Sequence, residues 1–566
     1  MCKQQDHQNT AATAAASKAE APKEEATYLV IGAGTAGLSF IDSLLTLDAE
    51  ATVILVDRNS QPGGHWTKAY PFVTLHQPSC NYGVNSLPLS NIRDKKGNER
   101  FSVNDLASGP EILDYYKKVV EQFRGCGRVQ FYFNCEYSKD ESGGHFVTNI
   151  DTNEVTQVSF KKIVTVHSNI LVPSMREGEA PFPIDSSISF APLNDLPTHI
   201  ESKQYKKYVV IGAGKTGSDA ITYLLRNGVD QSAITWITSR DNWYIIRDGL
   251  WQGYESYRKD TAGFFDPLVT CSSLHDVLLE YEKSGILERI DTTRTPEVFK
   301  GAIIDKSELA GLRSIKDIVR LGRITSITSD EIRLEKGTVP VSSPSDTLFV
   351  DCMADVDGTF YAFGEDFQIF DGDHINLGPI LVTFNVSFSS ALIAYIESTF
   401  EDDDDMRNSL LFFARGEENT KPDYKFLFSQ FYCGAKTLEA LSRAYPPAIR
   451  FIMRSRTFLD APSHHHRGRF GLLWALIGPS QMSKKSHTFL KRVARNDYPD
   501  CQNCFGCEGR KLPRPWDLKT KKKKANVKSN YPPQKKKKKS KLILNCCATE
   551  VVANAVENHN TVASSS

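Results

Sequence analysis

Residues 27–57 read TYLVIGAGTAGLSFIDSLLTLDAEATVILVD, and the rest of the chain is arranged around them. A short apolar β-type run, residues 28–31, enters Gly32-Ala33-Gly34-Thr35-Ala36-Gly37. A helical stretch follows, and a second apolar strand, residues 52–56, ends at Asp57. Strand, G-x-G-x-x-G, helix, strand and carboxylate in this order form the dinucleotide-binding fingerprint in its required context. Gly32 permits the tight turn, Gly34 lets backbone N–H groups approach a pyrophosphate at the positive end of the helix, and Gly37 allows close packing of helix on strand. Thr35 and Ala36 fill the turn. Asp57, with Arg58 beside it, is placed to accept from a ribose 2′-hydroxyl.

The pattern occurs twice. Residues 208–211 lead into Gly212-Ala213-Gly214-Lys215-Thr216-Gly217, a helical SDAITYLLRNG, and a strand, residues 234–238, that ends in Ser239-Arg240 instead of an acid. A carboxylate there would repel a 2′-phosphate, whereas a hydroxyl and a guanidinium bind one through charge-assisted hydrogen bonds. The first site is therefore expected to take FAD and the second NADPH, with Gly212, Gly214, Lys215, Thr216, Gly217, Ser239 and Arg240 as contacts. Two such sites on one chain imply electron passage from nicotinamide to flavin.

Between them lies Gln61-Pro62-Gly63-Gly64-His65-Trp66, whose paired glycines allow main chain near a cofactor and whose indole offers a flat apolar surface. The next run, YPFVTLHQPSCNYGVNSLPL at 70–89, is dense in rings and amides, suited to lining a flavin's reactive face. GAGTAG, Asp57, GGHW and the second GAGKTG resemble the flavin-containing monooxygenase superfamily. The 70–89 run is similar to a monooxygenase-like group of FAD/NAD(P)-binding oxidoreductases. The resemblance covers roughly residues 28–398. It implies an α/β fold of two Rossmann-like domains, with the FAD domain discontinuous and the NADPH domain inserted in it.

An asparagine near the flavin helps hold the oxygen adduct in that superfamily; Gln77, with His76 beside it, lines up best, so these two are the candidate catalytic residues. The chain also departs from the family. The strand-ending A-T-G becomes His167-Ser168-Asn169 and, later, Cys352-Met353-Ala354. The linker at 188–197 lacks the glycine and histidine of F-x-G-x-x-x-H. Asp373, ahead of a helix expected at 388–399, is the candidate for the ribityl chain.

At 566 residues the chain has length for three or four domains, and 40% hydrophobic with 24% charged residues is ordinary for a globular protein. The formal charge of zero hides segregation: 15 Lys/Arg and one acid lie between Arg510 and Lys541. Twelve scattered cysteines suit reduced thiols better than a disulfide framework. No apolar run reaches the ~18 residues of a membrane span; FGLLWALI at 470–477 is too short.

The expected organisation is a disordered segment 1–26 and a first FAD-binding part 27–200. The NADPH domain follows at 201–322 and a second FAD-binding part at 323–400. A helical region at 401–499 and a disordered lysine-rich tail at 500–566 complete it. Residues 110–123 have helical periodicity, 323–334 alternate as a hairpin, and 410–413 and 438–445 are expected core segments. The aromatics Trp251, Tyr254, Tyr257, Phe264 and Phe265 mark an insertion over the second site. His464-His465-His466 and Cys501, Cys504 and Cys507 are incomplete as metal sites, and no metal is expected.

Three functions follow. The first is a monooxygenase-like oxidoreductase taking a small soft nucleophile or carbonyl substrate and O2. The second is an NADPH-dependent flavin reductase or oxidase, which the altered linker favours. The third is a non-catalytic flavin-binding regulatory protein. A redox-active C-x-x-x-x-C after the first glycine turn is lacking, which disfavours a disulfide reductase. A cytoplasmic location is expected, with the lysine tail offering a nuclear address or contact with anionic lipid or nucleic acid.

Overall fold

The computed structural model describes residues 22–90, 102–166, 170–171, 179–203, 205–250, 267, 270–353, 355–356, 367–378, 380, 385–412, 424–457 and 518–521. The sequence readings at 167–169, 251–266, 464–466, 470–477 and 501–507 lie outside these residues, as do nearly all of the two termini.

The first sheet is built on β1 (Lys23–Ile31), which pairs in parallel with β2 (Val53–Asp57) on one side. All five residues of β2 are buried, as expected for a parallel sheet covered on both faces. Helix α1 (Thr35–Leu47) carries the chain from β1 to β2. Helix α2 (Gly109–Cys126) carries it on to β3 (Val129–Phe133), parallel to β2. The periodicity at 110–123 becomes α2 because its ends are specified. Ser108 and Glu111 form a reciprocal capping box, and Gly127 closes the helix in the left-handed conformation.

Strands β4 (Cys135–Lys139) and β5 (His145–Asn149) form an antiparallel excursion that leads into β6 (Val155–Val166), parallel to β1 on its other side. β1 begins four residues before the boundary expected at 27, because Lys23–Ala26 extend the ladder against Gln157–Phe160.

The chain then builds a second parallel sheet. It comprises β7 (Ser189–Pro192), β8 (Lys207–Ile211), β9 (Ile234–Ile237), β10 (Asp317–Val319) and β11 (Thr347–Asp351), in the spatial order β10-β9-β8-β11-β7. Helix α3 (Lys215–Arg226) connects β8 to β9, and α4 (Lys306–Ser314) precedes β10. This sheet draws in residues on both sides of the 201–322 range assigned from sequence. β11 is an interior strand, held between β8 and β7, so the second domain extends to at least Asp351. The 323–334 hairpin forms, gains a third strand at Gly337–Pro340, and packs Ile327 and Ile332 under Val209 and Phe349 of this sheet.

Only afterwards does the chain return to the first sheet. Strands β12 (Phe370–Asp371) and β13 (His374–Leu377) add to its edge, with β13 parallel to β6, and α5 (Val386–Thr399) packs on α1. Buried charges hold the return in place. Glu397 of α5 accepts from Tyr28 Oη of β1 at 2.8 Å and pairs with Lys162 of β6 at 3.1 Å and with fully buried Arg407 at 3.0 Å. Charges buried this deeply are tolerable only because each is paired. The helical region then continues with Tyr424–Ala444, where Leu438 and Leu441 are buried, and Pro447–Arg454.

Among the described residues no helix is long and apolar enough to cross a membrane, and no group of ligating side chains is arranged to hold a metal.

Candidate functional site

Both glycine turns lie at the carboxyl ends of central strands, where open α/β sheets bind their ligands. Gly32 and Gly212 take φ of +107° and +130°, open chiefly to glycine, and each N–H closes the turn onto the neighbouring strand: Gly32 to the Val56 carbonyl at 2.8 Å, Gly212 to that of Ile237 at 3.0 Å. Gly37 and Gly217 are required for contact, since a Cβ on either would overlap the carbonyl oxygen of Gly32 or Gly212. The N-cap residues Gly34 and Gly214 make no side-chain cap, so the first N–H groups of α1 and α3 are left for an anion. Around Gly214 a Cβ would meet nothing within 4 Å, which is room for a ligand. Gly34 differs: its Cβ would lie 3.4 Å from Gly64 Cα, so the Gly63-Gly64 turn is pressed against the first glycine loop.

Asp57 ends β2 and is buried. Its carboxylate accepts from the Ala33 N–H at 2.5 Å and from the Asn59 backbone and amide at 2.7 and 2.9 Å, which holds it beside the glycine turn. Arg58 turns outward and pairs with Glu136 at 3.7 Å, both side chains exposed. Thr35 faces inward: its hydroxyl lies 2.5 Å from Tyr82 Oη and 2.6 Å from Tyr116 Oη, and Trp66 Nε1 donates to Tyr82 at 2.6 Å. Burial raises both phenols, so this floor beneath the turn is neutral. Thr216 is half-buried on the first turn of α3.

Of the loop residues, His76 meets the second domain, its carbonyl accepting from Arg247 at 2.9 Å, and His65 is close enough for its charge to act on His76. Gln77 is buried. His65 is reachable from solvent although protein crowds it, and that crowding pushes its imidazole down to about 4. Half-buried His76 is pushed down to about 3 by burial and then by the charges of Lys215 and Arg247. Both imidazoles are therefore neutral at pH 7.

Lys215 does not project into the second turn. Its ammonium is buried between Asp219 and Glu308, 2.9 Å from the latter. Asp373 also stands apart: it is exposed, 2.7 Å from His374, at the entry of β13, whereas the glycine turns lie at strand exits. Counting a carboxylate back from a helix does not reveal which end of the intervening strand it occupies.

Two features escaped the sequence reading. The charges of Arg240 and Arg323 both act on Lys300, and among the described residues none of the three side chains has a carboxylate partner, although the Arg323 N–H donates to Glu335 at 3.1 Å. Lys300 is exposed to solvent although protein crowds it, and that crowding, then the Arg240 and Arg323 charges, push its ammonium down to about 8. The three come from separate stretches, so no local motif announces them. The second feature is a clamp on the loop bearing Tyr82. Arg456 donates to the carbonyls of Cys80 at 2.7 Å and Val84 at 2.8 Å, and buried Asp42 of α1 accepts from the Ser86 hydroxyl and N–H.

Burial pushes Asp42 up to about 6, against hydrogen bonds from Ser86 that lower it. Folded Asp42 thus keeps its proton through a window, from about 4 to 6, in which the unfolded chain has lost it. Stability should fall as pH rises through that window. Asp42→Asn should flatten this fall by about 3 kcal/mol, read from urea midpoints between pH 4 and 7. An unchanged slope would place the proton elsewhere.

The two parallel sheets, each with a glycine turn opening a helix at a strand's carboxyl end, define an α/β protein with two Rossmann-like domains of the dinucleotide-binding type. Over 383 residues the chain is 38% identical to the uncharacterized protein Rv2000 of Mycobacterium tuberculosis, covering 67% of this chain and 68% of that one. The uncharacterized protein Mb2023 of Mycobacterium bovis matches to the same extent. The chain belongs to the family of these mycobacterial proteins.

More distantly, it is 23% identical over 252 residues to the FAD-dependent monooxygenase DEP4 of Alternaria brassicicola, 43% of this chain and 39% of that one. Solved structures that align include an oxidized steroid monooxygenase bound to NADP (TM-score 0.44, 15% identity, 83% of this chain and 99% of that one). Cyclohexanone monooxygenase aligns at TM-score 0.41 and 16% identity, over 66% of this chain and 88% of that one. At such scores the likeness says nothing about chemistry. No family model matches the chain.

Proposed function

We propose that the chain is an FAD-dependent, NADPH-using oxidoreductase of monooxygenase type. The observation that carries this is the pairing of an acid-ended first site (Asp57) with a cation-lined second site (Arg240, Lys300, Arg323). The residues present fit the two cofactors. The uncapped start of α1 suits the FAD pyrophosphate, and Asp57 suits a ribose hydroxyl. The uncapped start of α3, with open space at Gly214, suits the NADPH pyrophosphate, and the three cations suit its 2′-phosphate.

When bound, NADPH supplies a hydride that reduces FAD and leaves NADP+, and the reduced flavin returns the electron pair to O2, giving water with an oxygenated substrate, or hydrogen peroxide. The protein's part is to bind, orient and shield. Neutral His65 and His76 add no charge to the cleft, Gln77 offers amide donors and acceptors without ionising, and Trp66 with the tyrosine floor keeps the first site apolar. The substrate is proposed to be a small soft nucleophile (amine or sulfide) or a ketone.

The second reading, an NADPH-dependent flavin reductase or oxidase, is favoured by one feature. Phe190–Pro192 are engaged in β7 of the second sheet, and the family's linker glycine and histidine are absent from this stretch.

The test is to reduce the purified protein with NADPH without oxygen, admit oxygen with candidate amines, sulfides or ketones, and compare peroxide released with NADPH consumed. Peroxide well below stoichiometry, with an oxygenated product, supports monooxygenation. One peroxide per NADPH with every substrate moves the assignment to the oxidase. A flavin that NADPH never reduces sinks both.

A further inference from the structure

We infer that a buried inter-domain latch, centred on Asp219 and Arg247, fixes the second glycine turn against the segment carrying His76 and Gln77, and so sets the approach of nicotinamide to flavin. This rests on the functional reading above.

The latch grips the 70–77 segment at both ends. At one end, Tyr70 Oη donates to Asp219 Oδ2 at 2.6 Å, and Phe72 stacks on Tyr223 with ring centroids 3.9 Å apart. Asp219 and Tyr223 are one turn apart on α3, the helix whose N-terminus forms the second glycine turn. At the other end, Arg247 Nε donates to the His76 carbonyl at 2.9 Å. Its remaining guanidinium nitrogens face Asp305 at 3.5 Å and Glu308 at 3.6 Å. Glu308 in turn pairs with Lys215, the residue after Gly214, which also pairs with Asp219. The charges form one closed circuit through the cofactor-binding end of α3, the start of α4 and the main chain at His76.

Apolar packing alone would hold two domains together, and burying charges is costly. What the charges add is direction. Charge-assisted hydrogen bonds tolerate little sliding, whereas apolar surfaces slip. Arg247 is almost wholly buried, at 2% exposure, so solvent cannot replace its partners. With both cofactors bound as proposed, hydride transfer from NADPH to FAD, leaving NADP+ and reduced flavin, would depend steeply on their separation, which the latch would set.

The experiment uses full-length protein loaded with FAD and mixed without oxygen with saturating NADPH, following loss of flavin absorbance. Tyr70→Phe keeps the ring stack and removes one bond; Arg247→Lys keeps the charge and removes the fork. Each is expected to slow the limiting rate about tenfold, in line with the cost of small misplacements. Flavin content and the half-saturating NADPH concentration should stay unchanged. A limiting rate within about twofold of the unmodified protein in Tyr70→Phe, or a loss confined to the half-saturating concentration, overturns the latch. Tyr70→Phe decides the matter alone if Arg247→Lys does not fold. An unmodified protein that binds no flavin, or binds it and is not reduced, overturns the functional reading itself, and the latch with it.

Discussion

A Gly34→Val variant is expected to purify folded and colourless. Gly34 has φ −85°, a value any residue adopts, so the substitution adds no backbone strain. What it adds is volume where the chain has none. A Cβ at 34 already stands 3.4 Å from Gly64 Cα, and a Cβ on Gly64 would stand 2.9 Å from Gly34 Cα. The two valine γ-carbons must therefore push the Gly63-Gly64 turn away or enter the space over the uncapped N–H groups of α1. Either displacement removes the close approach of main chain to a pyrophosphate. The loss should be complete, because the site's donors are main-chain groups that no side chain replaces. Flavin absorbance per protein and thermal unfolding are the measurements. A yellow variant with full flavin content would remove FAD from the first site.

Replacing two of the three cations near Arg240 should have the next largest effect. In Arg240→Ala/Lys300→Met, the preference for NADPH over NADH, as the ratio of half-saturating concentrations, should fall roughly a thousandfold, since each charge-assisted bond to a phosphate contributes about 2 kcal/mol. Protein crowding first, and then the Arg240 and Arg323 charges, push the Lys300 ammonium down to about 8, and a bound phosphate would counter the repulsive part of that shift. NADPH affinity in the unmodified protein should therefore weaken as pH rises above about 8, and the variant should lose that dependence. A variant that weakens NADH and NADPH equally would mean the 2′-phosphate is read elsewhere. The protein should not lose stability, since the substitutions relieve repulsion.

Much of this was legible in the chain. Each G-x-G-x-x-G stands directly between a short apolar strand and a helix, and such turns depend on residues within six positions of each other. Helix α2 was legible for the same reason, its periodicity and its Ser108 and Gly127 stops being local. The domain edges were less so. Strand β11 reads as an apolar run that either sheet could accept, and only pairing with β8 assigns it. Lys215 looks like a phosphate ligand beside a glycine turn. Its i+4 neighbour Asp219 was visible, but Glu308, 93 positions away, was not, and together they draw the ammonium inward.

The sequence by itself determined the two glycine turns, the acid after one and the arginine after the other, and hence an α/β protein with two dinucleotide sites, because those signals are short-range. Tertiary structure alone decided which side chains face the cleft. It turned Thr35 and Lys215 inward, left Asp373 at the wrong end of its strand, gathered Lys300 and Arg323 beside Arg240, and tied residues 70 and 76 to the second domain. Those outcomes depend on burial and on charges brought together from distant stretches, and neither is encoded in any one segment.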